Sequence, residues 1–136
     1  MKKCMILLLL LLTICLLSAC KGNALPDEMN EEELLSAGEN ILQMLTSGNC
    51  QGVYECLRED VRQQTDAAAI EELLNKATEG KGSFQKITGR MVTGITEGEQ
   101  PQGIAVFQCK YQKKSIAFRI AFDPDMQLIG LDIRTK

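Results

Sequence analysis

Apolar residues fall along this chain in three regimes. Met5 to Leu17 is an almost unbroken apolar run, Asn30 to Gly82 repeats apolar residues every three or four positions, and after Ser83 apolar and polar residues alternate. A period near 3.6 predicts helices and a period of 2 predicts strands. In the middle regime Leu34, Ile41, Leu42 and Leu45 share one helical face, with Leu35 beside them. Asn30 followed by Glu33 matches a capping box, and Glu31 and Glu32 put negative charge at the positive end of the helix dipole. Ser47-Gly48-Asn49 predicts the stop. Val53, Leu57 and Val61, spaced by four, predict a second and shorter helix, with Cys50 and Tyr54 flanking its stripe. A third helix starts at Thr65 or Asp66, buries Ile70, Leu73, Leu74 and Ala77, and ends at Gly80-Lys81-Gly82. That glycine pair is a helix stop and not a phosphate loop, since no strand precedes it and no Lys-Ser/Thr closes it.

The last regime predicts strands near Phe84 to Thr96, Gly103 to Tyr111, Ser115 to Phe122 and Leu128 to Ile133. Ile116, Phe118, Ile120 and Phe122 form the most regular apolar series, so they should face the helices while Arg119 points the other way. Residues 112–114 and 123–127 read as hairpin connections, which makes the last three strands antiparallel. Helices first and sheet second give an α+β fold: three N-terminal helices packed on a curved, mainly antiparallel four-stranded sheet.

The N-terminus carries an address. Lys2 and Lys3 precede an apolar segment of roughly 20 Å if helical, short of the ~30 Å of bilayer hydrocarbon, so it reads as a signal peptide and not a permanent span. Leu17-Ser18-Ala19-Cys20 then resembles the lipobox of bacterial lipoproteins: a branched apolar residue, two small ones, and a cysteine whose thiol can be alkylated to a stable thioether. The resemblance implies cleavage before Cys20, a diacylglyceryl group on that residue, and anchoring to the extracytoplasmic face of the cell membrane. Each buried methylene contributes ~0.8 kcal/mol, so two chains hold firmly. The expected organisation is a leader over 1–19, a lipidated cysteine and tether over 20–30, and one α+β domain over 31–136. From Lys21 to Met29 the sequence shows no apolar periodicity, and its nine residues reach at most about 30 Å.

Losing 19 of 136 residues leaves 117, enough for one ordinary core. The mature chain keeps 13 basic and 18 acidic side chains, a balance of −5, which disfavours nucleic acid as a partner. Its one adjacent basic pair, Lys113 and Lys114, reads as a solvated hairpin tip.

Histidine is absent, which removes triads and dyads of the usual kind and histidine-bound metals. An enzyme would have to run on carboxylates, and the candidate pairs are Asp123 with Asp125, Glu59 with Asp60, and Glu97 with Glu99. Each pair falls at a turn or helix end, where solvated structure is the commoner role. The Asp123 and Asp125 pair lacks the glycine and distant glutamate of a calcium loop. Beyond Cys20, the mature chain has Cys50, Cys56 and Cys109. On one helix Cys50 and Cys56 point to different sides and cannot bridge, a pairing of Cys109 with either stays open, and buried free thiols are the leading expectation. Three scattered cysteines without histidine do not make a zinc site. No cofactor or metal is expected.

Two stretches, Ser47-Gly48-Asn49 to Tyr54 with Leu57, and Phe122-Asp123-Pro124-Asp125-Met126-Gln127-Leu128-Ile129-Gly130-Leu131, resemble the bacterial domain of unknown function 3887 family. The resemblance covers Glu33 to Ile133. It departs at Met126, where a turn glycine is usual, at Cys50, where an aromatic is common, and in the third helix, which lacks a tryptophan. That family is similar to the nuclear transport factor 2-like superfamily, which implies a cone of sheet and helices around a pocket. A pocket of that kind would receive a small molecule, a cell-wall fragment or a partner chain, and the outer sheet face would offer a homodimer surface. The functional expectation is a membrane-anchored, non-catalytic binding or accessory module; the alternative is a small carboxylate-dependent enzyme using the cone.

Overall fold

A computed structural model describes residues 23–96 and 100–135. Helix α1 spans Glu31–Thr46, α2 Cys50–Cys56, α3 Glu59–Arg62 and α4 Ala67–Thr78; strands β1 Phe84–Ile95, β2 Gln102–Tyr111, β3 Ser115–Phe122 and β4 Leu128–Thr135 follow. The fold is α+β, with one open antiparallel sheet in the order β1-β2-β3-β4. Among the described residues no helix is long and apolar enough to cross a membrane.

Local signals set the helix ends. The Asn30 side chain accepts from the backbone N–H groups of Glu32 and Glu33 at 2.9 and 3.1 Å, satisfying two donors that the first turn leaves open. At the other end Gly48 adopts φ 79°, so that Gly48 N–H reaches Leu45 O and Asn49 N–H reaches Met44 O. This is the paired closure that a left-handed residue makes possible. Asn49 then caps α2 through its side chain, accepting from Gly52 N–H at 3.0 Å. Asp66 caps α4 by accepting from Ala69 N–H at 2.7 Å.

The second predicted helix is where the structure differs. It breaks after Cys56: Leu57 is extended, bridges in parallel to Leu128, and Arg58 N–H donates to Leu128 O at 2.8 Å before α3 begins. The four-residue spacing of Val53, Leu57 and Val61 survives the break because all three still turn toward the core. Periodicity reports which residues are inward and does not report that the chain between them has left the helix to cap a sheet edge.

The sheet register is as the alternation predicts. Ile116, Phe118 and Ile120 are fully buried and Phe122 nearly so, beside Ala105, Phe107 and Cys109 on β2. Helix α1 supplies Leu34, Ile41, Leu42 and Leu45 to the same core. The helix lies very close to the sheet at Gly38, where a Cβ would come within 2.7 Å of Ala105 Cβ and 2.9 Å of Phe107 Cε2. Arg119 sits on the outer face, opposite Val106 on β2 and Asp132 on β4.

The segment before α1, expected as part of a free tether, is docked. Asn23 N–H donates to Thr93 Oγ1 at 3.1 Å and Asn23 O accepts from Gly94 N–H at 3.0 Å, so the segment runs along the end of β1. Pro26 and Met29 are buried and Leu25 packs on the core. Three apolar residues at irregular spacing carry no periodic signal, which is why the sequence alone reads as a spacer.

Candidate functional site

The most connected polar group of the described residues is Arg58, held at the break between α2 and α3. Its Nε and Nη2 donate to the two oxygens of Asp60 at 2.7 and 2.9 Å, and Nη1 donates to Asp123 Oδ2 at 3.1 Å. The other Asp123 oxygen accepts from Gln127 N–H at 2.9 Å, closing the β3–β4 turn. Hydrogen bonds to Asp60 and then to Asp123 raise the Arg58 pKa further, so it stays a cation. The same Arg58 bond holds the Asp60 carboxyl below its usual range. Such a cluster holds its charges in fixed pairs.

This corrects part of the carboxylate expectation. Asp123 is buried and turned toward Arg58, whereas Asp125 is exposed, so the two do not form a pair. Met126 explains the arrangement of the turn: it takes φ 61°, the conformation for which glycine is the usual choice, and its N–H reaches Asp123 O at 2.9 Å. Glu59 and Asp60 begin α3, with Asp60 drawn to Arg58 and Glu59 exposed. Glu97, Glu99 and Cys20 lie outside the described residues. Sequence reasoning passed over Arg58, because its decisive partner is 65 residues away and nothing local marks that contact.

Beside Arg58 lies an apolar cleft of about 170 Å³ between α2, α3, α4 and β4, lined by Val53, Leu57, Val61, Ile70, Leu73 and Leu131. Thr65 contributes a polar side chain there. Small-molecule pockets usually run from ~300 to 1,000 Å³, so this one suits a single apolar side chain or a short hydrocarbon stub. A second groove of about 280 Å³ runs between α1 and β1, past Leu42, Thr46, Phe84 and the 3.1 Å ion pair of Arg90 with Glu39.

Residues 38–131 match the DUF3887 family, described as a protein of unknown function. The chain belongs to the DUF3887 family. An NMR structure of a protein from Ruminococcus gnavus ATCC 29149 is similar to it, with a TM-score of 0.68 over 81% of this chain and 96% of that one, at 17% identity. A likeness at that identity speaks to the fold alone. No curated protein matches the chain.

In this DUF3887 domain the space between α1 and the middle of the sheet is filled by side chains. Phe107, Phe118, Ile116 and Ile120 meet Leu42 and Leu45, Tyr111 stacks on Phe118 at 6.5 Å, and Phe84 meets Tyr111 edge-on at 5.8 Å. Cys50, Cys56 and Cys109 are free thiols. Burial pushes the Cys109 thiol up to about 11 and raises that of Cys50, so neither is a ready nucleophile, while Cys56 is exposed. Among the described residues no group of three or more His, Cys, Asp or Glu could hold a metal ion.

Proposed function

We propose that this DUF3887 chain is a lipoprotein held at the extracytoplasmic face of a bacterial membrane by a diacylglyceryl group on Cys20, and that its domain is a non-catalytic binding or accessory module there. The observation that carries the anchor is the run Leu17-Ser18-Ala19-Cys20 behind an apolar leader, and the docking of Asn23 onto Thr93 and Gly94 bears on where the domain would sit. Cys20 lies three residues before Asn23, so the lipid leaves the domain within ~10 Å of the end of β1. The leader occupies 1–19, and with Asn23 docked the domain rests close to the lipid surface.

The remaining finer features belong to the same proposal. The helices on one face of a sheet whose β1 strand is bulged near Phe84 and Ile87 favour a nuclear transport factor 2-like cone. Its partner would be a small molecule, a cell-wall fragment or a protein, and a second copy could meet the outer sheet face, where Met91 and Ile95 are 43% and 42% exposed. Against the carboxylate-dependent enzyme stands Asp123, the one buried carboxylate of the described residues, which is tied to Arg58 and to the turn backbone.

Growing cells with an alkyne-tagged fatty acid tests the anchor. Wild-type protein should take up label and fractionate with membranes, and Cys20→Ala should do neither; equal labelling of the two would sink the proposal.

A further inference from the structure

Lysines concentrate at one end of this domain, although both ends carry charges of both signs and Glu79 stands two residues before Lys81. The carboxylates of Glu31, Glu32, Glu33, Asp66, Asp123 and Asp125 gather where α1 and α4 begin and β3 passes into β4. The other end of the sheet collects lysines from three separate segments. Lys113 N–H donates to Lys81 O at 2.9 Å, which joins the β2–β3 turn to the chain between α4 and β1. Tyr111 N–H reaches Lys114 O at 2.9 Å and closes that turn. Lys86 on β1 stands directly opposite Lys110 on β2.

Lys86, Lys110, Lys113 and Lys114 are exposed and Lys81 half-buried, and among the described residues none of the five forms an ion pair. Like charges facing each other across two strands destabilise a sheet. The facing ammonium groups of Lys86 and Lys110 therefore do not favour folding. The adjacent pair Lys113 and Lys114, taken alone, is a solvated tip; five ammonium groups on neighbouring strands and turns make a field. Among the described residues no exposed aromatic side chain stands beside them on which bases could stack, since Tyr111 is buried and Phe84 half-buried. No exposed large apolar residue accompanies them either, as Met91 and Ile95 are at the opposite half of β1.

We propose that this lysine end is a docking surface for a linear polyanion bearing repeated phosphate groups. Lysine is a compact point charge without the planar fork that demands one partner geometry, so a row of lysines suits a flexible polymer whose charges repeat. Affinity comes from release of the polymer's counterions. The proposal rests on the anchored reading only for its direction. Asn23 is docked at Gly94, eight residues up β1 from Lys86, or ~26 Å at the rise of a strand, so the lysine end faces away from the membrane that holds Cys20. That placement favours a polymer outside the membrane over the anionic lipid surface itself.

Full-length protein in neutral detergent micelles, titrated into fluorescently labelled long-chain inorganic polyphosphate, tests the surface by anisotropy. Saturable binding is expected at low salt, with a log–log salt slope of about −3 to −4 for four or five phosphates neutralised. The double substitution Lys113→Glu with Lys114→Glu should weaken binding at least about tenfold and flatten the slope, because it removes two of the contacts. Glu31→Gln with Glu32→Gln, at the opposite end, should bind like wild type. The reversed pair sits in an exposed turn, and an unchanged thermal midpoint will show that it is folded. Absent binding at low salt, equal binding by the reversed variant, or binding to anionic vesicles with none to the polymer would each overturn the proposal. The polymer is soluble, so this outcome is independent of the anchor: loss of fatty-acid label with polymer binding intact would remove the anchor and leave the docking surface standing.

Discussion

Arg58 donates to Asp123 at 3.1 Å and thereby ties the break between α2 and α3 to the start of the last hairpin. The two carboxylates it holds are in different surroundings: the Asp123 side chain is 10% exposed and that of Asp60 58%. Removing the cation leaves Asp123 buried beside no positive charge, whereas removing Asp60 only returns part of Arg58 to water. Arg58→Met should therefore lower the thermal midpoint at pH 7 clearly more than Asp60→Asn does. Equal midpoints for the two variants would show that the Arg58 to Asp123 contact contributes nothing.

The Asp60 contact also has a pH signature. Its folded pKa is depressed, so its contribution is fully present above the unfolded carboxylate value near ~3.9 and is lost as pH falls through the lower folded value. Following the midpoint from pH 6 to pH 2, Asp60→Asn should remove part of the acid-side decline seen in wild type. An identical decline in both would count against the pairing.

Gly38→Ala should destabilise, although alanine is favoured in a helix interior by about 1 kcal/mol. The added methyl would lie 2.7 Å from Ala105 Cβ and 2.9 Å from Phe107 Cε2, and both neighbours are fully buried in the sheet with no room to yield. Overpacking of this kind costs ~1–3 kcal/mol. Urea denaturation measures it, and a gain in stability would mean that α1 stands farther from the sheet.

Phe118 and Arg119 test the register of β3. Phe118 is fully buried, so Phe118→Ala should cost ~3–5 kcal/mol, a large share of the ~5–15 kcal/mol of a typical domain. Arg119 lies on the outer face and Arg119→Ala should change stability by no more than ~0.5 kcal/mol. A slip of one residue would exchange the two faces, and comparable losses at both positions would reveal it.

The thiols predict an alkaline limit. Cys109 is pushed up from 9.0 to about 11 and Tyr111 from 10.0 to about 12, both by burial. An acid whose folded pKa is raised keeps its proton in the native state after the unfolded chain has lost it, so stability is intact below pH 9 and falls between about 9 and 11 as Cys109 dominates. Denaturation midpoints at pH 8 and pH 10.5 should differ, and less so in Cys109→Ala. At pH 8 a thiol reagent should modify Cys56 quickly and reach Cys50 and Cys109 only on unfolding. Rapid modification of all three in the native protein would contradict their burial.

What could be read from the residues in order is what short-range physics governs. Asn30, Gly48 and Asp66 mark helix ends because a cap is satisfied within a few residues, and Ile116 to Phe122 declare their inward face because a strand alternates every second residue. The α+β class and the four strands follow from the change of period, and the resemblance carried by the turn at Asp123 to Gly130 pointed to the family. Tertiary structure decided the rest. Leu57 leaves the helix because the edge of β4 at Leu128 offers its backbone a partner, Arg58 finds Asp123 only once β3 has returned, and Asn23 docks only because β1 ends beside it. The lysine cluster likewise exists only when Lys81, Lys86 and the Lys110 to Lys114 turn have been folded together. Periodicity records how each residue relates to its near neighbours, while a polar contact across 65 residues, or a field built from three segments, depends on distances that the chain acquires only by closing on itself.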